Sequence, residues 1–229
     1  MGFIVSGGSI FVGGMLGSLF GRRISLKNEA VLAIGIMLIS VVGVLENILS
    51  ISGGKIVGEH TVIVTIALIA GCTLGDVLKL EERVSSLSGR DGQEQNGFID
   101  SVLFFGIGGL QMSGPILYAL EGDSFQLMLK GVIDFPFALM LGAAYGKRVS
   151  LSAAVIVAMQ LLTAALVRLL GNFLGDNLVP QMCSLGYLIL FFSGFNLICA
   201  PRYKIRNINM LPGVVLVILY NLFAEVLHG

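Results

Sequence analysis

Charge is what this sequence has least of. Only 12% of its 229 residues are Asp, Glu, Lys or Arg, where a soluble domain carries about 25% to stay solvated, so its solvent is lipid rather than water. Its 14 basic and 14 acidic residues cancel. With no basic stripe to neutralise phosphates and no acidic tail, nucleic acid is excluded as a partner. Aromatic residues are scarce too, at 8%, which leaves close packing and polar contacts to hold the helices together. The three cysteines, Cys72, Cys183 and Cys199, are odd in number, lack metal-ligand spacing and fall inside apolar segments; they read as small core residues. Two histidines, His60 and His228, stand at expected span ends. Also absent are a phosphate-binding Gly-rich loop with Lys-Ser/Thr, a His-Glu-x-x-His and a Gly-x-Ser-x-Gly. These absences argue against an ATP-driven pump, an intramembrane metalloprotease, or any enzyme, and no cofactor or metal is expected.

What is present is grease: 55% hydrophobic residues and a mean hydropathy of +0.93. Apolar runs able to cross about 30 Å of hydrocarbon at about 1.5 Å per residue lie near 2–20, 30–49, 61–78, 98–120, 125–145, 150–171, 182–200 and 208–227. The expected fold is therefore all-α, a polytopic membrane helical bundle of about eight transmembrane helices forming one membrane domain over 1–229. Met1-Gly2-Phe3-Ile4 lacks a positive n-region, and Arg22-Arg23 rather than a cleavage site follows the first run, so that span is expected to be retained. Lys and Arg stay with cytoplasmic loops. Placing both termini outside puts Arg22, Arg23, Lys27, Lys79, Arg83, Arg90, Lys147, Arg148, Arg202, Lys204 and Arg206 inside, and leaves only Lys55, Lys130 and Arg168 towards the outer surface. The polar stretch 81–96 is then a cytoplasmic loop. Its first part reads as a short interfacial amphipathic helix, and Ser88-Gly89-Arg90-Asp91-Gly92 reads as a turn.

A shift of 125 positions lays Leu16 through Leu26 on Leu141 through Leu151 with six identical pairs of eleven. Asn47 and Leu49 then fall on Asn172 and Leu174, and Lys79-Leu80 on Lys204-Ile205. Four crossings separate the copies, so a true duplication is parallel, with a first repeat over 1–120 and a second over 125–229; the alternative is coincidence between span ends that all carry Gly and basic residues. Gly13, Gly17 and Gly21 are four apart on one helix, Ala138, Gly142 and Gly146 match them on the other, and Gly71 and Gly75 repeat the pattern in the third span. Residues four apart share a face, and a face of glycines lets another backbone approach closely. Such faces serve packing inside the chain, and they also make a homodimer compatible with the sequence.

Ionisable residues in mid-span cost about 2.5–3.5 kcal/mol each on insertion scales, so they ask for a reason. Lys130 and Asp134 are four apart on one face of the fifth span, and Pro136 follows. One reading is a discontinuous helix whose freed carbonyls join Asp134 in a cation or proton site switched by Lys130. The other is an intrahelical ion pair from which Lys130 snorkels outward. The fourth span packs Gly106, Gly108, Gly109, Gln111, Ser113, Gly114 and Pro115 into ten residues, a poor recipe for a regular helix and the best place for an unwound stretch. Gln160 and Asn196 either face such a cavity or serve as interhelical glue. Glu46, Arg168, Glu225 and His228 lie near outer ends, Asp76 and Asp100 near inner ends.

Several motifs, taken in order, carry a likeness. Gly71-Cys72-Thr73-Leu74-Gly75-Asp76 with Leu80-Glu81, Phe98 through Gly114, Lys130 with Asp134, Gln160, Gly194-Phe195-Asn196-Leu197 and Asn209-Met210-Leu211-Pro212 resemble the uncharacterised bacterial inner-membrane family called domain of unknown function 554, the YqgA/YdfK-like proteins. The resemblance covers nearly the whole chain and implies a bacterial plasma membrane and a helical fold, without a substrate. The sequence departs from that pattern at Asp76, where Glu is usual, and at Gly106-Ile107-Gly108-Gly109-Leu110, where Cys-Val-Gly-Ala-Met is usual. The expected function is a secondary transporter or ion-coupled carrier for a small solute or ion. In it Asp134 binds the coupling cation, Lys130 competes with it, and Gln111, Ser113, Gln160 and Asn196 hold the solute. The rival expectation is a non-transporting subunit or sensor that binds a partner through its small-residue faces.

Overall fold

In hydrocarbon every backbone N–H and C=O must find a partner without water, and a helix satisfies all of them within one segment. The computed structural model describes residues 1–20, 29–87, 97–106, 109–170, 177–199, 203 and 205–228, and among them it holds helices and no strand. In chain order these are α1 (Gly2–Phe20), α2 (Glu29–Ile51), α3 (Glu59–Val77), α4 (Leu80–Leu87), α5 (Gly97–Gly106), α6 (Gly109–Glu121), α7 (Phe125–Tyr145), α8 (Arg148–Leu170), α9 (Leu178–Cys199) and α10 (Leu211–His228). A 3-10 turn, Asn207–Met210, leads into α10. Seven of them, α1, α2, α3, α7, α8, α9 and α10, are long and apolar enough to cross a membrane. The fourth expected span, 98–120, comes instead as α5 and α6, of 10 and 13 residues. Glycines at 106 and 109 mark the two ends, and each glycine costs a helix about 1 kcal/mol relative to alanine.

The fifth span corrects an expectation. Helix α7 runs unbroken from Phe125 to Tyr145 with Pro136 inside it. A proline removes a single ladder bond, and transmembrane helices tolerate that where a neighbour supports the segment. Here α1 supplies the support. Of the polar stretch, its first part is helical as α4, while the turn expected at 88–92 lies outside the described residues, as do Gly21, Arg22, Arg23 and Lys27.

The chain divides into two compact units, Met1–Asn28 with Glu82–Ile107 and Gly114–Arg168, and Glu29–Glu81 with Gly108–Ser113 and Leu169–Gly229. Each draws helices from both halves of the sequence, so neither unit coincides with the 1–120 and 125–229 segments.

In the first unit α1 and α7 run parallel, backbone against backbone. Gly2 meets Leu127, Gly13 meets Phe135 and Ala138, and Gly17 meets Leu139 and Ala143. A methyl group on Gly17 would stand 2.1 Å from the Leu139 carbonyl oxygen, and one on Gly142 would stand 2.3 Å from that of Gly14. The two contacts are reciprocal: Leu139 is Gly14 displaced by 125 positions, and Gly142 is Gly17 displaced by the same amount. Helix α8 passes α1 in the opposite sense, with Gly7 against Val157 and Gly14 against Ser150. The turn between α7 and α8 is made by Gly146, whose φ of +78° suits only glycine and whose N–H closes on Gly142 O at 2.9 Å.

In the second unit α2 and α9 are antiparallel, with Gly194 under the Ala33 carbonyl and Met37, and Gly43 under the Tyr187 ring. Helices α3 and α10 are antiparallel too, Gly71 on the backbone of Gly213 and Gly75 on that of Asn209. Between them Ile48, Val64, Ala67, Leu178, Leu185 and Val217 form a packed apolar core. Gly13, Gly17 and Gly142 in the first unit, and Gly71 and Gly75 in the second, are thus covered from within the chain.

Large apolar side chains point outward over many of the helices: Leu19, Val31, Leu38, Ile69, Val132, Leu162, Leu169 and Phe223 are all more than 60% exposed. Polar ones are buried, among them Ser6, Gln111, Lys130, Asp134, Gln160, Gln181, Asn209 and Asn221. A polar inside and an apolar outside is the arrangement a lipid solvent selects. The chain is a multi-pass helical membrane protein.

Candidate functional site

Five residues into α7, Lys130 turns inward rather than out to the interface. It is 3% exposed, and Asp134, one turn further along, is 7% exposed. The ammonium Nζ donates to Asp134 Oδ2 at 2.5 Å and to the carbonyl oxygen of Phe105 at 3.1 Å. Phe105 sits in the last turn of α5, which ends at Gly106. The last four carbonyls of a helix have no N–H partner within it, and their partial negative charge favours a cation. A backbone carbonyl in the last turn of a neighbouring helix, plus a carboxylate four residues away, is what holds Lys130 inside. The outward snorkelling expected on the plainer reading does not occur, because these two acceptors replace the water that snorkelling would seek.

The pair is electrically neutral as a whole, which makes its burial tolerable, but removing one partner strands the other. Near the Phe105 carbonyl, Phe104 packs at 5.0 Å on Phe137 of α7 and edge-on at 5.3 Å on Phe105 itself, which joins α5 to α7. The Asp134 side chain keeps 10% of its surface accessible against 3% for Lys130. An anionic oxygen and a backbone carbonyl thus hold one ammonium between them.

The other expected site residues have different surroundings. Gln160, fully buried in α8, donates through Nε2 to Ser6 Oγ of α1 at 2.9 Å, which makes it a fastener between two helices of the first unit. Asn196 in α9 grips the backbone of Ile205 with both ends of its amide, Nδ2 to the carbonyl and Oδ1 from the N–H, each at 2.8 Å. That bidentate clamp holds the chain where it turns back towards α10, and Asn207 adds a bond to Ser193 Oγ at 2.8 Å. Gln111 and Ser113 are buried in the opening turns of α6, where Ser113 Oγ makes no hydrogen bond among the described residues. They belong to the second compact unit, whereas Lys130, Asp134 and Gln160 belong to the first. Arg168, at the end of α8, is exposed and lies 5.6 Å from the centre of the Tyr118 ring.

Two polar networks in the second unit escaped the reading of the sequence. Asn209, fully buried, donates to Asp76 Oδ1 at 2.5 Å and accepts from the Glu81 N–H at 2.8 Å, while Glu81 Oε2 accepts from the Ile208 N–H at 3.3 Å. The segments Gly71–Glu81 and Asn209–Pro212 thus meet as one latch. Along the same helices, Gln181 joins His60 Nδ1 at 2.9 Å and accepts from Asn221 Nδ2 at 2.8 Å. The signal for both was a lone amide in an apolar run, and nothing local says which partner such an amide has. Among the described residues no group of three His, Cys, Asp or Glu can hold a metal ion.

Comparison with known proteins agrees with this picture of the fold and goes no further. A family model described as "Protein of unknown function (DUF554)" matches residues 1–222. The chain is similar to the uncharacterized membrane protein YdfK of Bacillus subtilis (strain 168), at 23% identity over 160 residues, 69% of each chain. No solved structure matches it.

Proposed function

We propose that this chain, which belongs to the DUF554 family, is a secondary transporter or ion-coupled carrier that moves a small solute or ion across the bacterial inner membrane without ATP. The observation that carries the reading is the Lys130–Asp134 pair, buried at membrane depth and closed onto the Phe105 carbonyl at the end of a short helix. Charges in that position are expensive and mark ion or substrate pathways, and helix ends inside the membrane are where carriers place their ions. In this scheme Asp134 receives the positively charged species and Lys130 competes with it. Gln160 and Asn196 act through the packing of their helices. Two further features fit: the reciprocal approach of α1 and α7, which supports a parallel duplication; and the bias of basic residues, which supports both termini outside.

The test is flux. Purified protein in liposomes, loaded with a pH- or sodium-sensitive dye, is expected to move ions down an imposed gradient, and Asp134→Asn is expected to stop it. Because a stranded Lys130 can itself unfold the chain, the companion variant replaces both partners, Lys130→Met with Asp134→Leu. Replacing a buried pair by apolar groups of similar size is often neutral, so this protein folds and transports nothing. Wild-type vesicles silent to every common ion and small solute, or a double variant that still transports, refute the proposal.

A further inference from the structure

The site already holds a ligand, and that ligand is part of the chain. Lys130 presents a primary alkylammonium to a carboxylate oxygen and a helix-terminal carbonyl, and both accept N–H bonds from it. We infer that the species received at Asp134 is a protonated amine, ammonium itself or a primary alkylammonium, and that Lys130 is its tethered stand-in. The inference rests on the carrier reading and names its substrate class.

One feature favours this class over a bare hard cation. Among the described residues Nζ meets two acceptors, placed for N–H donation, whereas hard cations such as calcium and magnesium gather six or more oxygens; the pair offers directed acceptors rather than a cage. The exchange also balances charge, as it does for any monovalent cation. When an ammonium from outside takes the place between Phe105 O and Asp134, the site stays neutral, and the displaced Lys130 keeps its own proton. Lys130 stands five residues after Phe125, about 7.5 Å along the helix axis from the end of α7, so its long stem can carry the charge to the interface. Helix α1, packed along the same stretch of α7, has no ionisable side chain between Gly2 and Phe20 to compete for either partner.

The experiment is equilibrium binding of radiolabelled methylammonium to the purified full chain in detergent, with competitors. Wild type is expected to bind it saturably. Ammonium and n-propylammonium displace the label; sodium, potassium and tetramethylammonium, which lack N–H donors, do not. Lys130→Met is expected to bind at least about tenfold more tightly, since a tethered group competes at an effective concentration in the millimolar range, and Asp134→Asn not at all. Sodium or tetramethylammonium displacing the label as well as ammonium overturns the amine class. Binding by Lys130→Met with none by wild type also overturns the inference, since Lys130 is then a fixed group that no amine displaces. If the variants do not fold, the competitor series on wild type decides alone. Vesicles that carry an ion while the protein binds no amine overturn this inference and leave the carrier reading standing; vesicles that carry nothing remove the carrier reading itself.

Discussion

The approach of α1 to α7 is close enough that one methyl group should separate them. A Cβ at position 17 would lie 2.1 Å from the Leu139 carbonyl oxygen, 1.3 Å short of ordinary contact at 3.4 Å, and one at position 142 would be 1.1 Å short at 2.3 Å from Gly14 O. Both obstacles are backbone, so no rotamer relieves them, and the helices must part. Overpacking of this kind costs about 1–3 kcal/mol. Alanine also helps any helix by about 0.5–1 kcal/mol relative to glycine, and Gly8→Ala, with nothing within 4 Å of its new methyl, reports that gain alone. In equilibrium unfolding by SDS from mixed micelles, followed by circular dichroism, Gly17→Ala should therefore fall about 1–3 kcal/mol below Gly8→Ala. The double variant Gly17→Ala/Gly142→Ala sharpens the test. One separation of the helices relieves both clashes, so the second substitution costs less than it does alone, with a coupling of about 1 kcal/mol. Gly17→Ala as stable as Gly8→Ala, or strictly additive costs, would show that the backbones do not meet as described.

Further outcomes follow from single contacts. Gln160→Met should lose the bond to Ser6 for about 0.6 kcal/mol, the mean for hydrogen bonds between transmembrane helices; a double-mutant cycle with Ser6→Ala that gives no coupling removes that role. Asn209→Leu breaks the bond to the Asp76 carboxylate and leaves the Glu81 N–H without its partner, a loss of about 2 kcal/mol read in the same unfolding assay, and unchanged stability would dissolve the latch. Lys79 has a φ of +52° just past the end of α3, a conformation that costs a side chain about 1–2 kcal/mol, so Lys79→Gly should raise the thermal midpoint in detergent and Lys79→Val should lower it.

How much of this was legible beforehand depends on which physical rule was being read. Lipid enforces helices of a minimum length, so the crossings at 2–20, 125–145 and 150–171 lie within two residues of α1, α7 and α8 at every end. The glycine spacing showed where backbones could touch, and Gly17, Gly142, Gly71 and Gly75 do touch backbone. What spacing could not say is which helix comes to which. Gly71 and Gly75 meet α10, outside any register that a shift of 125 positions suggests, because packing partners are chosen by the shapes of whole faces.

The same limit explains the site. Lys130 and Asp134 could be read because both halves of the pair sit on one helix, four residues apart, where geometry is local. Their third partner could not. The Phe105 carbonyl is a backbone group 25 residues away, and a carbonyl becomes an available acceptor only where its own helix stops. Pro136 looked like that stop, yet α7 runs through it, because a proline withholds one donor inside a helix that its neighbours still hold. The carbonyl that Lys130 reaches lies instead in the last turn of α5, on a helix without its partner charge. An ion pair on one helix that also bonds the backbone of another ties the two helices together, so loss of Lys130 should loosen α5 from α7 as well as strand the Asp134 carboxylate.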